Sequence, residues 1–550
     1  MVRIFPEPRR LVYLGVGCSI SEEPVVRIGE ASLPPQGFRL HIDPSGIRID
    51  AHDACGAYYA QCLLEQIIEA NEGDDLDGLC LEDWPDFKDR AYLLDISRDR
   101  VPTMAHLYRL VDTLARLRYN QLQLYTEHTF AYTGHGQVWK EASPMTAAEI
   151  RQLDTYCRKR FIELVPNQNS FGHMERWLKH DAYKHLAECP EGFKHPISGE
   201  WRAQGSVLKP DLQSLNFLDG LYAELLQNFS SRRLNLGGDE PWELGWGASR
   251  ERVEREGKQT VYLDFLKAIC QLAERHGVQP MCWADVLLED ANAIEQLPPG
   301  VIPVLWGYEA DHPFAEQCSR LAKLGRAFYV APGDSTWNSL TGRFKVMLDN
   351  VKSAAENGVR YGASGLMMTH WGDEGHPQAW LVSLPALAWA GLLAWRADSS
   401  EATLEAVLEV LLSGRAAVAP QVLLEVAGLD DTLAVNLLNR SYLRHSLRLN
   451  AENLDVFRPR PSNERLVALI EACNRLSGML DDSSEPSPET MELALSVRLN
   501  RFAAYRCLGR MEDCPDCLDR LAADYCDLWM QRSRPGGLKD SLNKLLPRNI

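Results

Sequence analysis

The chain has no hydrophobic run long enough to cross a bilayer, and its start, Met-Val-Arg-Ile-Phe-Pro-Glu-Pro-Arg-Arg, lacks the extended apolar core of a secretion signal. It lacks basic excess too: 58 Lys plus Arg stand against 76 Asp plus Glu, a formal net charge of -18. A chain this acidic is repelled by phosphate backbones and anionic lipid, so neither nucleic acid nor membrane is expected as a partner. There is no His-Glu-x-x-His or similar metal spacing. Cytoplasmic residence is the expectation, and the 14 cysteines then read as reduced thiols, with Cys62, Cys157, Cys270 and Cys473 inside helical patterns. What is present is ordinary globular material, 45% hydrophobic and 24% charged, over 550 residues, enough for two or three domains around a large core.

The stretch Arg232 to Trp246 concentrates the chemistry. Leu234 to Leu236 is a short buried-strand run, ended by Gly237-Gly238, where the backbone can turn without a side chain in the way. Asp239 and Glu240 follow. Neighbours in a strand point to opposite faces, so both acids address one ligand only where alternation breaks, and the glycines supply that break. Two acids held close cannot both ionise easily; one pKa rises, as a general acid near neutral pH requires. Trp242 and Trp246 add flat apolar faces of the kind a sugar ring stacks on. By itself the same pattern also fits a strand end whose acids cap the next helix.

Residues 1–85 read as a small α+β unit: Phe38 to Ile42 and Ile47 to Ile49 alternate around a Pro44-Ser-Gly46 turn, and Gly56 to Ala70 has one apolar helical face. Asn71 to Gly78, acidic and turn-rich, reads as a linker. Within 86–396 strand and helix alternate. Strands are predicted at 91–96, 120–125, 161–165, 234–236, 279–284, 301–306, 326–331 and 363–369. Helices are predicted after Pro102, from the Thr146/Glu149 capping box to Arg160, and at 213–229, 258–276, 314–324, 343–358 and from about 378. That cadence is the signature of an α/β fold of the (β/α)8 TIM-barrel type. From 397 to 550 the periodicity is helical only, with helices near 402–413, 430–449, 461–478, 485–508 and 516–532 and a Pro/Ser-rich break at Asp481–Pro488. This C-terminal domain is expected to pack on the barrel or on another subunit, giving a homo-oligomer. Cys514-Pro-Asp-Cys517, a lone C-x-x-C inside helical sequence, is too weak a signal for a metal, and none is assigned.

In a (β/α)8 barrel the active site lies at the C-terminal ends of the strands. Residues there are Asp95, Arg98, Glu127, His128, Tyr132, Asn167, Asn169, His173, Trp283, Asp285, Trp306, Tyr308, Trp337, His370, Trp371, Asp373, Glu374 and His376. A single Trp or His at a strand end is usually packing; four tryptophans among acids and an Arg at one rim fit a carbohydrate pocket, since C–H faces stack and hydroxyls need directional partners.

On these residues the chain resembles glycoside hydrolase family 20, the β-N-acetylhexosaminidases. Arg90 to Arg98 is similar to the family's first barrel strand, Leu236-Gly-Gly-Asp-Glu240 to its acid pair, Phe171-Gly-His173 to its Pro-Gly-His and Trp283-Ala-Asp285 to its Trp with acids. Thr369 to Asp373 resembles its closing Trp-x-Glu, and Asn167 to His173 with Val304 to Tyr308 looks closer to the hexosaminidase D-like branch. Three positions depart from the pattern: Asn235 replaces a His, Asn169 an acid, and Asp373 a Glu. Asn carries no charge, so a proton relay at the first two, and the substrate range, are in question.

The resemblance implies an exo-acting enzyme without a cofactor that removes terminal N-acetylglucosamine or N-acetylgalactosamine from an oligosaccharide or glycoconjugate by substrate-assisted retention. Glu240 would be the acid and base, and Asp239 would orient the 2-acetamido group. Tyr308 would bind its carbonyl, with Trp283, Trp306, Trp337 and Trp371 as walls. Arg98 and Asp373 would hold ring hydroxyls, while Glu127, Asn169, His173 and Asp285 complete the binding set. Two alternatives stand beside it: a two-carboxylate glycosidase with Glu127 or Asp373 as nucleophile, and a sugar-binding protein on a decayed barrel, suggested by Asn169 and Asn235.

Overall fold

The computed structural model describes residues 5–71, 73–196, 199–290, 293–412, 418–449, 458–481 and 486–546. The N-terminal part is a five-stranded sheet in the order β1-β5-β3-β4-β2, with β1 Arg10–Ser19, β2 Val25–Ile28, β3 Phe38–Asp43, β4 Gly46–Ala51 and β5 Asp75–Asp83. The expected hairpin is β3 with β4, its turn set by Ile42 opposite Ile47. The expected helix is Ala54–Glu69, capped by the Asp53 side chain on the Gly56 N–H, and it seals the face formed by Leu40, Ile42, Ile49 and Leu81. The linker reading is corrected: β5 begins inside it, at Asp75, because Leu76 and Leu79 are needed as core residues of this sheet.

Eight parallel strands follow in barrel order. They are β6 Asp89–Asp95, β7 Gln121–Tyr125, β8 Glu163–Val165, β11 Arg233–Asn235, β12 Gln279–Trp283, β13 Ile302–Trp306, β14 Tyr329–Ala331 and β15 Gly365–His370; a two-residue hairpin, β9 Phe193–Lys194 with β10 Trp201–Arg202, lies in an excursion. The ring closes where β8 meets β11 through a parallel bridge of Asn167 with Asn235. The capping box at Thr146 and Glu149 forms, with both reciprocal bonds, and starts the helix Ala147–Arg158. The barrel lumen is filled by Ala91, Leu93, Val165, Met281, Val304 and Met367 below a ring of aromatics.

The N-terminal sheet is fixed to the barrel through a buried ion pair, Arg118 to Asp83 at 2.7 Å, roofed by Trp395, whose indole N–H also donates to Asp83 at 2.9 Å. Breaking such a pair by removing one partner strands a charge away from water, at about 3–5 kcal/mol.

Beyond the barrel the described chain is helical, at Leu404–Leu412, Pro420–Ala427, Tyr442–Arg448, Asn463–Asp481, Pro488–Leu508, Leu518–Arg532 and Leu538–Leu545. A continuous helix over 430–449 does not form. Asp430–Leu433 is a short 3-10 turn and Ala434 and Asn439 take left-handed φ values of 52° and 56°, so the chain turns back onto the barrel instead. Residues 482–485 of the Asp481–Pro488 break lie outside the described residues. Among the described residues no helix is long and apolar enough to cross a membrane.

Candidate active site

Each functional side chain is delivered by the end of a barrel strand. β11 stops at Asn235; Gly237 and Gly238 take φ of 76° and 95°, and Glu240 follows at φ 47°. This left-handed run, available without cost only to glycine, rotates Asp239 and Glu240 out of strand alternation. Both carboxylates then converge on one imidazole: His173 Nε2 lies 3.1 Å from Asp239 Oδ2 and 3.7 Å from Glu240 Oε2.

The electrostatics of the three groups follow from that geometry. Burial alone would lower the His173 pKa, but the Asp239 and Glu240 carboxylates outweigh it and raise it to about 10, so the ring is a cation near neutral pH. Burial raises the pKa of Glu240, with Asp239 and Asp373 adding to the rise and His173 and Arg98 opposing it. Asp239 is 8% exposed, and its second oxygen, Oδ1, is buried with no hydrogen-bond partner among the described residues. A buried carboxylate oxygen without a donor is costly unless something outside the chain supplies one. Beneath the pair, Asp285 accepts the Glu240 N–H at 3.3 Å, and burial with the two neighbouring carboxylates pushes its own pKa up to about 7.

Arg98 sits across the cavity, its guanidinium held by Asp95 and Glu127, both at 3.1 Å, and laid over the rings of Tyr125 and Trp371 at 4.5 and 5.3 Å. Glu127 takes both Arg98 and the Tyr125 hydroxyl on Oε1, and burial pushes its pKa up to about 7 against the opposing Arg98. It is a holder of Arg98 rather than a free nucleophile. Asp373 is near enough to Arg98 and Glu240 to perturb both, and burial raises its own pKa.

The walls are aromatic. Trp283 and Trp371 are 5.8 Å apart, Trp306 stacks on Tyr308 at 5.1 Å, and Trp337 meets Tyr308 edge-on at 5.0 Å. The Trp371 indole donates to the Tyr308 hydroxyl at 2.8 Å. Burial keeps that hydroxyl protonated far above neutral pH.

Two expected residues occupy the floor. Asn235 spans Gln123 and the Gly237 N–H, at 3.0 and 3.1 Å, and so braces the turn before the acid pair. Asn169 is fully buried against Gly237, where its Oδ1 would overlap any Cβ. Neither can relay protons as an acid or imidazole would. His370 and His376 contact each other at 2.7 Å behind Trp371, away from the cavity, with Asp334 on the other His370 nitrogen. Tyr125, the platform under Arg98, escaped the sequence reading, although its place as the last residue of a strand was the available signal. Among the described residues no group of three or more His, Cys, Asp or Glu is placed to hold a metal ion.

Comparison with known proteins gives matches to two family profiles: "Glycosyl hydrolase family 20, catalytic domain" over residues 87–338 and "Glycosyl hydrolase family 20, domain 2" over residues 15–84. Hexosaminidase D of Homo sapiens is 29% identical over 235 residues, 41% of this chain and 46% of that protein. The chain thus spans about half the length of that curated relative. A crystallised β-N-acetylhexosaminidase superposes with a TM-score of 0.62 at 18% identity, covering 75% of this chain and 95% of the other. The Flavobacterium johnsoniae chitobiase does so at 0.60 and 15% identity, covering 99% of both chains. These structural likenesses concern the fold.

Proposed function

Because the chain belongs to glycosyl hydrolase family 20, we propose that it is an exo-acting β-N-acetylhexosaminidase working by substrate-assisted retention. The observation that carries this reading is the buried, unpartnered Oδ1 of Asp239 beside a carboxyl of raised pKa. An acetamido N–H is the donor that oxygen lacks.

In the first step Glu240 gives its proton to the glycosidic oxygen as the C1–O bond breaks, and the acetamido oxygen bonds to C1 to close an oxazolinium ring. Positive charge grows on the acetamido nitrogen, and Asp239 offsets it while holding the N–H. Water then attacks C1, Glu240 takes its proton, and the ring opens with the β configuration restored. His173, pinned by both acids, orients Asp239. Tyr308 is assigned to the acetamido carbonyl, Arg98 and Asp373 to ring hydroxyls, and Trp283, Trp306, Trp337 and Trp371 to the sugar faces. All 14 cysteines are free thiols, which supports a reducing, cytoplasmic setting for the enzyme. The residue spans 1–85, 86–396 and 397–550 are the domains we assign.

A panel of nitrophenyl glycosides tests the assignment. The protein should cleave β-N-acetylglucosaminide or β-N-acetylgalactosaminide and be inhibited by a thiazoline that mimics the cyclised intermediate. Cleavage of the parent glucoside or galactoside at a comparable rate would show that no acetamido group takes part.

The pH profile carries a second expectation. The alkaline limb of kcat/KM reports loss of the Glu240 proton, and the His173 cation lowers that pKa. Removing the cation should therefore raise the Glu240 pKa and move the limb to higher pH. His173→Asn, which tolerates the observed φ of 57°, is the variant to titrate. A limb that stays in place or moves down contradicts the coupling.

A further inference from the structure

The helical C-terminal part of the chain touches the barrel rim at Glu374 and Gly375 and also through the turn Leu437–Ser441, and what that turn does is specific. Trp337, on the loop after β14, is 1% exposed, and its indole N–H donates to Asn439 Oδ1 at 2.7 Å. We propose that Asn439 is a positioning residue of the active site: it fixes Trp337 edge-on against Tyr308, and through it the wall that receives the acetamido group. The proposal rests on the function assigned above and adds a specific residue from outside the barrel.

Several independent contacts make this turn a rigid fixture. The Asn439 N–H donates to Glu309 Oε1 at 2.8 Å, and Arg343 grips both oxygens of Glu309 at 2.9 Å. Glu309 directly follows Tyr308 in sequence, so the residue that holds Trp337 is itself anchored beside the tyrosine it serves. Arg343, 3% exposed, also donates to the Leu437 carbonyl at 3.2 Å, and the Ser441 N–H donates to the Asn338 carbonyl at 2.9 Å. Asn439 has φ 56°, a conformation that Asn and Gly accept readily and other residues resist.

The far side of the Trp337 ring has no slack. A Cβ on Gly333 would stand 2.4 Å from Trp337 and 2.7 Å from Tyr308, so both rings close on bare backbone there. Trp337 is thereby held between Gly333 and Asn439, with Tyr308 at 5.0 Å and an interplanar angle of 78°. The Tyr308 hydroxyl is fixed in turn by the Trp371 indole at 2.8 Å. If Asn439 only satisfied a buried donor, its loss would lower stability and leave ligand preference alone. A positioning role instead weakens the ligand that most resembles the cyclised acetamido group.

The test compares wild type, Asn439→Gly, Asn439→Asp, Trp337→Phe and the double variant Asn439→Gly/Trp337→Phe. Gly keeps the left-handed backbone and deletes the acceptor; Asp keeps an acceptor; Phe deletes the indole N–H. Readouts are kcat and KM on the nitrophenyl N-acetylhexosaminide, calorimetric affinity for the thiazoline and for N-acetylglucosamine, and the melting midpoint. Asn439→Gly should lose about tenfold in kcat/KM and in thiazoline affinity, with a melting shift of only a few degrees. Asn439→Asp should stay within about twofold of wild type, and Asn439→Gly should add nothing further in the Trp337→Phe background.

The proposal falls if Asn439→Gly matches wild type in thiazoline affinity, if its loss repeats in full on top of Trp337→Phe, or if Asn439→Asp is as impaired as the glycine variant. Should Asn439→Gly not fold, the aspartate variant decides. A wild-type protein that binds the thiazoline but turns over no hexosaminide would sink the enzymatic reading alone, since the binding comparison still tests Asn439.

Discussion

Glu240→Gln should lower turnover by about 10³-fold or more on a substrate with a poor leaving group such as a disaccharide of N-acetylglucosamine, with sugar affinity kept. Gln has the same shape and can still hydrogen-bond, but it has no proton to give the departing oxygen and cannot take one from the attacking water. A nitrophenyl glycoside, whose leaving group departs with less help, should suffer less in the first step. The ratio between the two substrates then isolates the acid role from the base role. The geometry supports this division: the Glu240 carboxyl is part buried, has its pKa raised by burial and faces the cavity, whereas Glu127 is locked to Arg98 and Tyr125. Equal rates for variant and wild type on the disaccharide would remove Glu240 from the mechanism.

Asp239→Asn is expected to cost roughly 10²-fold or more in kcat, the scale of removing one preorganised electrostatic partner from a transition state. The variant loses the negative charge that offsets the oxazolinium and the charge that keeps His173 cationic, which burial would otherwise drive toward neutrality. Affinity for the thiazoline should fall with kcat, because both report the cyclised acetamido group. Affinity for a sugar lacking that group should change little. If thiazoline binding survives the substitution intact, the Asp239 carboxylate does not contact the acetamido group and the substrate-assisted route loses its support.

Much of this site is legible in the sequence because its signals are local. Gly237-Gly238-Asp239-Glu240 declares a strand end with two displaced acids, and the structure realises it through consecutive positive φ values. The strand and helix periods between Asp89 and Trp395 mark the barrel, since buried strands and amphipathic helices must repeat their apolar residues at fixed spacing. The rule that barrel sites gather at strand C-termini then brought Arg98, His173, Trp283, Tyr308 and Trp371 onto one list.

What failed was non-local. β1, β2 and β5 were missed: β1 and β2 are edge strands without inward-facing alternation, β2 being exposed along its whole length, and β5 starts inside the acidic, turn-rich stretch Asn71 to Gly78. The helix expected over 430–449 broke because the turn at Asn439 is favoured by contacts to Glu309, Arg343 and Trp337, which lie 94 to 130 residues from their partners in sequence.

By itself the sequence determined the barrel, the acid pair and the aromatic character of the cavity, because each is written in residues that are neighbours or recur at a short period. Only the tertiary structure decided that Asp239 and Glu240 share His173, that Glu127 belongs to Arg98, that Asn235 and Asn169 form the floor, and that a turn of the C-terminal part reaches back to hold Trp337. Those are pairings across loops of tens to hundreds of residues. Their energy comes from which partner burial leaves within hydrogen-bond reach, a quantity that exists only once the chain has closed around them.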